Sequence, residues 1–206
     1  SLERLLRALA AQEVPGGFEV VVVDDASQDA TPALLAAIGP ELPYALRTLR
    51  HEANRGPGPS RNDGWRAATG ARIAFVDDDC TPAEEWLVHL VSALDQVDVA
   101  QGRTIIDPEH AGEIGPFGHT IEVLDESGFY ETCNIAYRRD VLDQVGGFDE
   151  RFGYYAEDTD LGWRARRAGA RTAFVPDAVV VHEVRPTGFL SHLRTVPRRE
   201  GIVRAI

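Results

Sequence analysis

A three-layer α/β fold with a mostly parallel central sheet is predicted by three observations. Two apolar runs, VVVV at residues 20–23 and IAFV at residues 73–76, each stop at an acidic cluster. Each cluster is followed by a Thr-Pro pair and then by an apolar stripe at helical spacing. Strands apolar throughout are buried on both faces, the habit of parallel sheets covered by helices. In such sheets ligands bind beyond the carboxyl ends of the strands, where both acidic clusters fall.

The elements follow in order. Leu2, Leu5, Leu6 and Leu9 share one helical face, and Gly16-Gly17 closes that segment. The first strand ends at Asp24-Asp25. Ala26, Ser27, Gln28 and Asp29 form a polar turn, and Thr31-Pro32 supplies an N-cap and first-turn proline for a helix carrying Leu34, Leu35 and Ile38. Residues 54–64 (NRGPGPSRNDG) read as a Gly/Pro-rich loop leading to a helix with Trp65 and Ala68. The second strand ends in Asp77-Asp78-Asp79, and Thr81-Pro82 is expected to cap a helix with Trp86, Leu87, Leu90, Val91 and Leu94. Further on, residues 97–106 and 130–137 read as strands, 107–128 as a loop, and 157–168 as a helix. Residues 171–175 and 179–182 read as two short strands around Pro176-Asp177. With no internal repeat or clear linker, one domain is expected over residues 1–206.

Composition narrows the function. The 33 acidic residues outnumber 21 basic ones, for a net charge of −12, which argues against nucleic acid as a partner because phosphate backbones recruit excess Lys and Arg. All 21 basic residues are Arg, so Schiff-base lysine chemistry and a P-loop are excluded. No apolar run approaches the roughly 20 residues of a membrane-spanning helix. Cys80 and Cys133 cannot build a disulfide framework or a four-ligand zinc site, and no signal peptide is visible. The expected location is therefore the cytoplasm, with peripheral attachment at the inner face of a membrane compatible with it. Both termini look cut from something longer.

Asp77-Asp78-Asp79 is the sharpest local feature. Three adjacent carboxylates at a strand end repel one another, and a divalent cation relieves that repulsion. Alternation along extended chain sets Asp77 and Asp79 on one side and Asp78 on the other. The competing reading is a solvated acidic turn that complements the dipole of the next helix. Asp24-Asp25 closes the other parallel-type strand, where a carboxylate can accept a base N–H or a ribose hydroxyl; turn formation is its alternative. In the 54–64 loop, Gly56 and Gly58 permit close backbone approach and Arg61 can pair with phosphate.

Five motifs in order, VVVVDDASQD, NRGPGPSRNDG, AFVDDDC, GGFDERF and AEDTDLGWRARRAG, closely resemble family 2 glycosyltransferases from Ser1 to about His182. The resemblance implies a GT-A fold, a nucleotide-diphospho-sugar donor, Mn2+ or Mg2+, and transfer with inversion to a glycan, lipid-linked or small-molecule acceptor. It implies that Asp24 or Asp25 contacts base or ribose and that Arg61 supports the diphosphate. Asp77 and Asp79 are similar to the ends of the DxD motif, with Asp78 and Glu157 also on the nucleotide-sugar side. Asp79 is the expected direct metal ligand, with Asp77 nearer the ribose or a metal-bound water, and His182 falls where a further ligand is placed. Asp158 resembles the general base, and Asn134 is a candidate donor or acceptor contact. Residues 1–100 would then form the nucleotide-sugar half and 101–206 the acceptor and base half. The chain starts after the family's usual first strand, so the central sheet is expected to lack it.

Structural readings compete at several positions. Glu157-Asp158 can serve as a helix start, His182 as a structural histidine, and Asn134 as a strand-end hydrogen-bonding residue. Trp86 and Trp163 are expected in the core. Arg164, Arg166 and Arg167 read as a solvated helix face, and Arg198-Arg199 as a group facing anionic lipid or water. A catalytically silent sugar-nucleotide-binding module and a pyrophosphorylase are the rival functions. The latter needs an N-terminal phosphate loop that these residues lack.

Overall fold

The computed structural model describes residues 1–113 and 120–184. The chain opens with helix α1 (Leu2–Leu9), strand β1 (Glu19–Asp24), helix α2 (Thr31–Ile38) and strand β2 (Ala45–Arg50). Next come α3 (Pro57–Ala67), β3 (Arg72–Val76), β4 (Cys80–Pro82), α4 (Trp86–Ala93) and β5 (Val99–Ile106). The described part ends with β6 (Asn134–Arg138), α5 (Arg139–Val145), α6 (Glu157–Arg167) and β7 (Thr172–His182).

β1 and β2 form a parallel pair, and the other strands form a sheet in the order β3-β6-β5-β7-β4. β6 is antiparallel to both β3 and β5, β7 is parallel to β5, and β4 is antiparallel to β7. Thus β3, β5 and β7 share one direction. The expected common direction holds for these three strands and for the β1–β2 pair, while β6 and the edge strand β4 run the other way, which the sequence did not announce.

Side-chain alternation covers both faces of this sheet. Ile73, Phe75, Val99, Ile135 and Tyr137 pack with Trp65 of α3, Leu142 of α5 and Leu161 of α6 on one face. Ala74, Val76, Ala100 and Ala136 turn to the other face, toward Leu5 and Leu9 of α1 and Trp86 and Leu90 of α4. The α2 residues Leu35 and Ile38 cover the β1–β2 pair through Val20, Val22 and Leu46. Three layers result.

Four local readings are corrected. Much of the expected 54–64 loop is helical, because Gly56 at φ 89° turns the chain and Pro57 provides the fixed φ of a first helical position. Thr81-Pro82 does not cap a helix; it lies in β4, with Cys80 opposite His182. The two strands expected around Pro176-Asp177 are one strand, whose register against β5 jumps from Gly102↔Val175 to Arg103↔Val179. The extra residues bulge out. Residues 130–133 precede β6 and are not part of it, while β2 and α5 had no sequence prediction. No helix among the described residues is long and apolar enough to cross a membrane. Arg198-Arg199 lies outside the described residues.

Candidate active site

Helix α3 carries Arg61 to the centre of the site. Its Nη1 donates to Glu157 Oε1 at 2.6 Å and its Nη2 to Asp77 Oδ1 at 3.1 Å. One guanidinium therefore ties the end of β3 to the start of α6. Burial works against the Arg61 charge, but Asp77 and Glu157 outweigh it and hold the group protonated. Glu157 is buried, and its second oxygen, Oε2, has no partner among the described residues. An unpaired buried carboxylate oxygen beside a cavity is an acceptor awaiting a donor.

Asp158 follows directly. Burial, then the neighbouring Glu157 charge, pushes its carboxyl up to about 7, against the opposing pull of Arg61 and the Thr159 N–H. It lines a cavity of about 760 Å³ together with Arg61, Asp77, Glu131, Thr132 and Trp163. Burial also raises the Glu131 carboxyl, and the Ser127 hydroxyl donates to it at 3.1 Å. Two glycine contacts fix this corner. Gly162 of α6 has no Cβ, which would sit 2.1 Å from the Tyr130 ring, so the helix bearing Asp158 lies flat on that ring. Gly102 likewise leaves room for the Asn134 amide.

The candidate metal centre lies at the edge of the sheet, where β4 meets β7. Carboxylate, thiol and imidazole atoms of Asp79, Cys80 and His182 lie within 4.8 Å of one another. His182 Nδ1 lies 2.9 Å from the Glu183 carbonyl, which can only accept, so the proton sits on Nδ1. Nε2 of the same ring lies 3.7 Å from Asp79 Oδ1, which sets an imidazole nitrogen and a carboxylate oxygen close enough to share one divalent cation. The Cys80 thiol is pushed far up by its hydrogen bond with Cys133 and by burial, and so stays protonated. A carboxylate and an imidazole suit Mn2+ better than Mg2+, which prefers oxygen alone. Asp77 is not in this group; its carboxylate faces Arg61 instead, and Asp78 is exposed.

The other expected site residues divide clearly. Asp24 is buried, accepting the Ser27 N–H and pairing with Arg50; these outweigh burial and hold its carboxyl below the usual range. Asp25 accepts the N–H groups of Arg55 and Gly56 at 2.8 Å and pairs with His51 at 2.7 Å. Asp25 therefore anchors the approach to α3, Asp24 ties the end of β1 to the end of β2, and neither lines the Asp158 cavity. Asn134 is a correction: it is 0% exposed, accepts from Trp86 Nε1 at 2.7 Å, and donates to the Arg103 and Ala178 carbonyls. Its hydrogen bonds are spent inside the sheet. Trp163 is the opposite correction, 39% exposed on the cavity wall, whereas Trp86 is buried as expected.

Phe129, Glu131 and Tyr154 went unnoticed in the sequence, lying in stretches without a motif. A larger cavity of about 890 Å³, lined by Gln12, Phe18, Tyr44 and Glu84, contains no basic side chain among its lining residues.

The fold and the acidic strand ends define a GT-A protein, and the comparisons place it more closely. The chain matches the profile of glycosyl transferase family 2 over residues 1–148, and that of glycosyltransferase like family 2 over residues 125–199. It belongs to glycosyl transferase family 2. It is 32% identical over 228 residues to the succinoglycan biosynthesis protein ExoO of Rhizobium meliloti, covering 100% of this chain and 64% of that protein. The mannosyltransferase PcManGT from Pyrobaculum calidifontis, in complex with GDP-Man and Mn2+, is similar at TM-score 0.76 and 26% identity, covering 99% of this chain and 58% of that one. S. aureus TarS 1-349 in complex with UDP-GlcNAc is similar at TM-score 0.71 and 28% identity, with coverage of 92% and 56%. The chain spans less than two thirds of each of these proteins.

Proposed function

We propose that this chain transfers a sugar, with inversion, from a nucleotide-diphospho-sugar to an acceptor hydroxyl, using Asp158 as general base. The observation that carries the reading is a carboxyl raised to about 7, set in a cavity beside the Arg61–Asp77–Glu157 cluster. A base poised near the working pH takes up a proton effectively without being permanently protonated.

In the proposed step the acceptor oxygen forms a bond to the anomeric carbon while its proton passes to Asp158. The bond from that carbon to the diphosphate oxygen breaks, and its electron pair leaves with the nucleotide. A single in-line displacement inverts the centre. Asp79 and His182 would hold a divalent cation, which when bound neutralises the charge developing on the diphosphate. Glu157 Oε2 accepts a donor-sugar hydroxyl, Arg61 holds Glu157 and Asp77 aimed through its two hydrogen bonds, and the Asp24-Asp25 turn lies on the base side. The names of PcManGT and TarS, complexes with GDP-Man and UDP-GlcNAc, support a nucleotide sugar of this class.

The test is nucleotide-sugar turnover. UDP- and GDP-sugars are incubated with the protein and Mn2+, and nucleotide release is followed with and without candidate acceptors. Metal-dependent release from one of them is the expected result. Tight nucleotide binding with no turnover toward any acceptor would instead mark a silent binding module.

A further inference from the structure

Phe129, Tyr154 and Trp163 are 61%, 40% and 39% exposed, and all three line the cavity that holds Asp158. With Leu124 they are the exposed large apolar side chains among the described residues. Large exposed apolar groups gathered at one cavity mouth mark a binding surface. From this clustering, and resting on the transferase reading above, we infer that the acceptor is a saccharide whose ring stacks against this aromatic wall.

The wall is held in place rather than loose. The Trp163 indole meets the edge of Tyr130 at 6.4 Å and 86°, and the Arg166 guanidinium lies over it at 5.0 Å. The Thr159 hydroxyl donates to the Phe129 carbonyl at 2.8 Å, which ties the Phe129 segment to the residue after Asp158. Tyr154 Oη donates to Asn54 Oδ1 at 2.8 Å. Ring placement is thus coupled to base placement.

The remaining lining chooses the ligand class. Ser127, Glu131, Thr132 and Arg167 line the same cavity as the aromatics. A pyranose offers the same mixture: an apolar face of C–H groups for an aromatic ring and a rim of hydroxyls for carboxylate and hydroxyl partners. A hydrocarbon tail would strip water from Glu131, Asp158 and Arg167 without replacing its hydrogen bonds, which is costly. A small polyol would leave the aromatic faces unused. In a lipid-linked acceptor the sugar, not the lipid, would occupy this cavity.

Tryptophan fluorescence reads the proposal directly, because Trp65 and Trp86 are buried and Trp163 is the exposed indole. UDP and GDP are titrated first with Mn2+, followed by methyl glycosides and disaccharides of common hexoses, with octanol and glycerol as comparison arms. Saturation-transfer NMR is run alongside. A saturable signal is expected with at least one saccharide. Trp163→Phe should lose the fluorescence change yet keep the NMR contact, whereas Trp163→Ala and Phe129→Ala should weaken saccharide binding about two- to tenfold. Nucleotide affinity should stay at its wild-type value. Nucleotide binding without saccharide binding, or octanol binding in its place, overturns the inference alone. Absence of nucleotide binding overturns the transferase reading beneath it.

Discussion

Replacing Asp158 by Asn tests the base assignment through stability as well as rate. In the folded protein this carboxyl lies near 7 rather than its ordinary 3.8, so the folded state holds a proton that the unfolded chain releases. Below pH 4 both states are protonated and the Asp contributes like a neutral group. As pH rises toward 7 the unfolded chain gains from ionising while the folded one does not, and wild-type stability falls by about 1.4 kcal/mol per unit. Above 7 the loss is complete. The gap sets a ceiling of about 4 kcal/mol, and partial exposure of the side chain brings the expected cost to about 2–4 kcal/mol. Asn does not titrate, and its Oδ1 can keep the 2.7 Å bond from the Thr159 N–H. Urea unfolding of both proteins at pH 4, 6 and 8 should show near-equal stability at the lowest pH and a more stable variant at the highest. Transfer should meanwhile fall by about 10²-fold or more with donor binding retained. A pH-independent stability difference, or a variant that transfers at the wild-type rate, would refute the reasoning.

The same geometry makes further predictions. Asp79→Ala should abolish the strengthening of UDP or GDP binding by Mn2+ while leaving the melting temperature near wild type; calorimetry with and without the metal reads this. Arg61→Ala leaves Glu157 and Asp77 without their shared cation, so it should cost about 3 kcal/mol of stability and at least tenfold in nucleotide affinity, measured by unfolding and calorimetry. Gly162→Ala would place a methyl 2.1 Å from the Tyr130 ring, and about 1–3 kcal/mol of destabilisation is expected by thermal unfolding.

Placement was legible where one short stretch of chain holds the whole signal. Asp79 lies in the acidic turn between β3 and β4, and Asp158 at the start of α6, places that local pattern identifies. What sequence could not supply was pairing at a distance. Glu157 meets Arg61 across 96 residues, and His182 meets Asp79 only because β4 folds back beside β7. The Asn134 amide looked available for a ligand because nothing local shows that Gly102 and the β7 bulge close around it. Trp163 was misread for a different reason. Leu161 and Ala165 are buried and four residues apart, which marks the inward face of α6, and a residue two positions from each points the other way. An aromatic residue placed there gains nothing from the core. Its exposure is then best explained by the cavity it lines, and this ties the proposed acceptor wall to the same helix that presents Asp158.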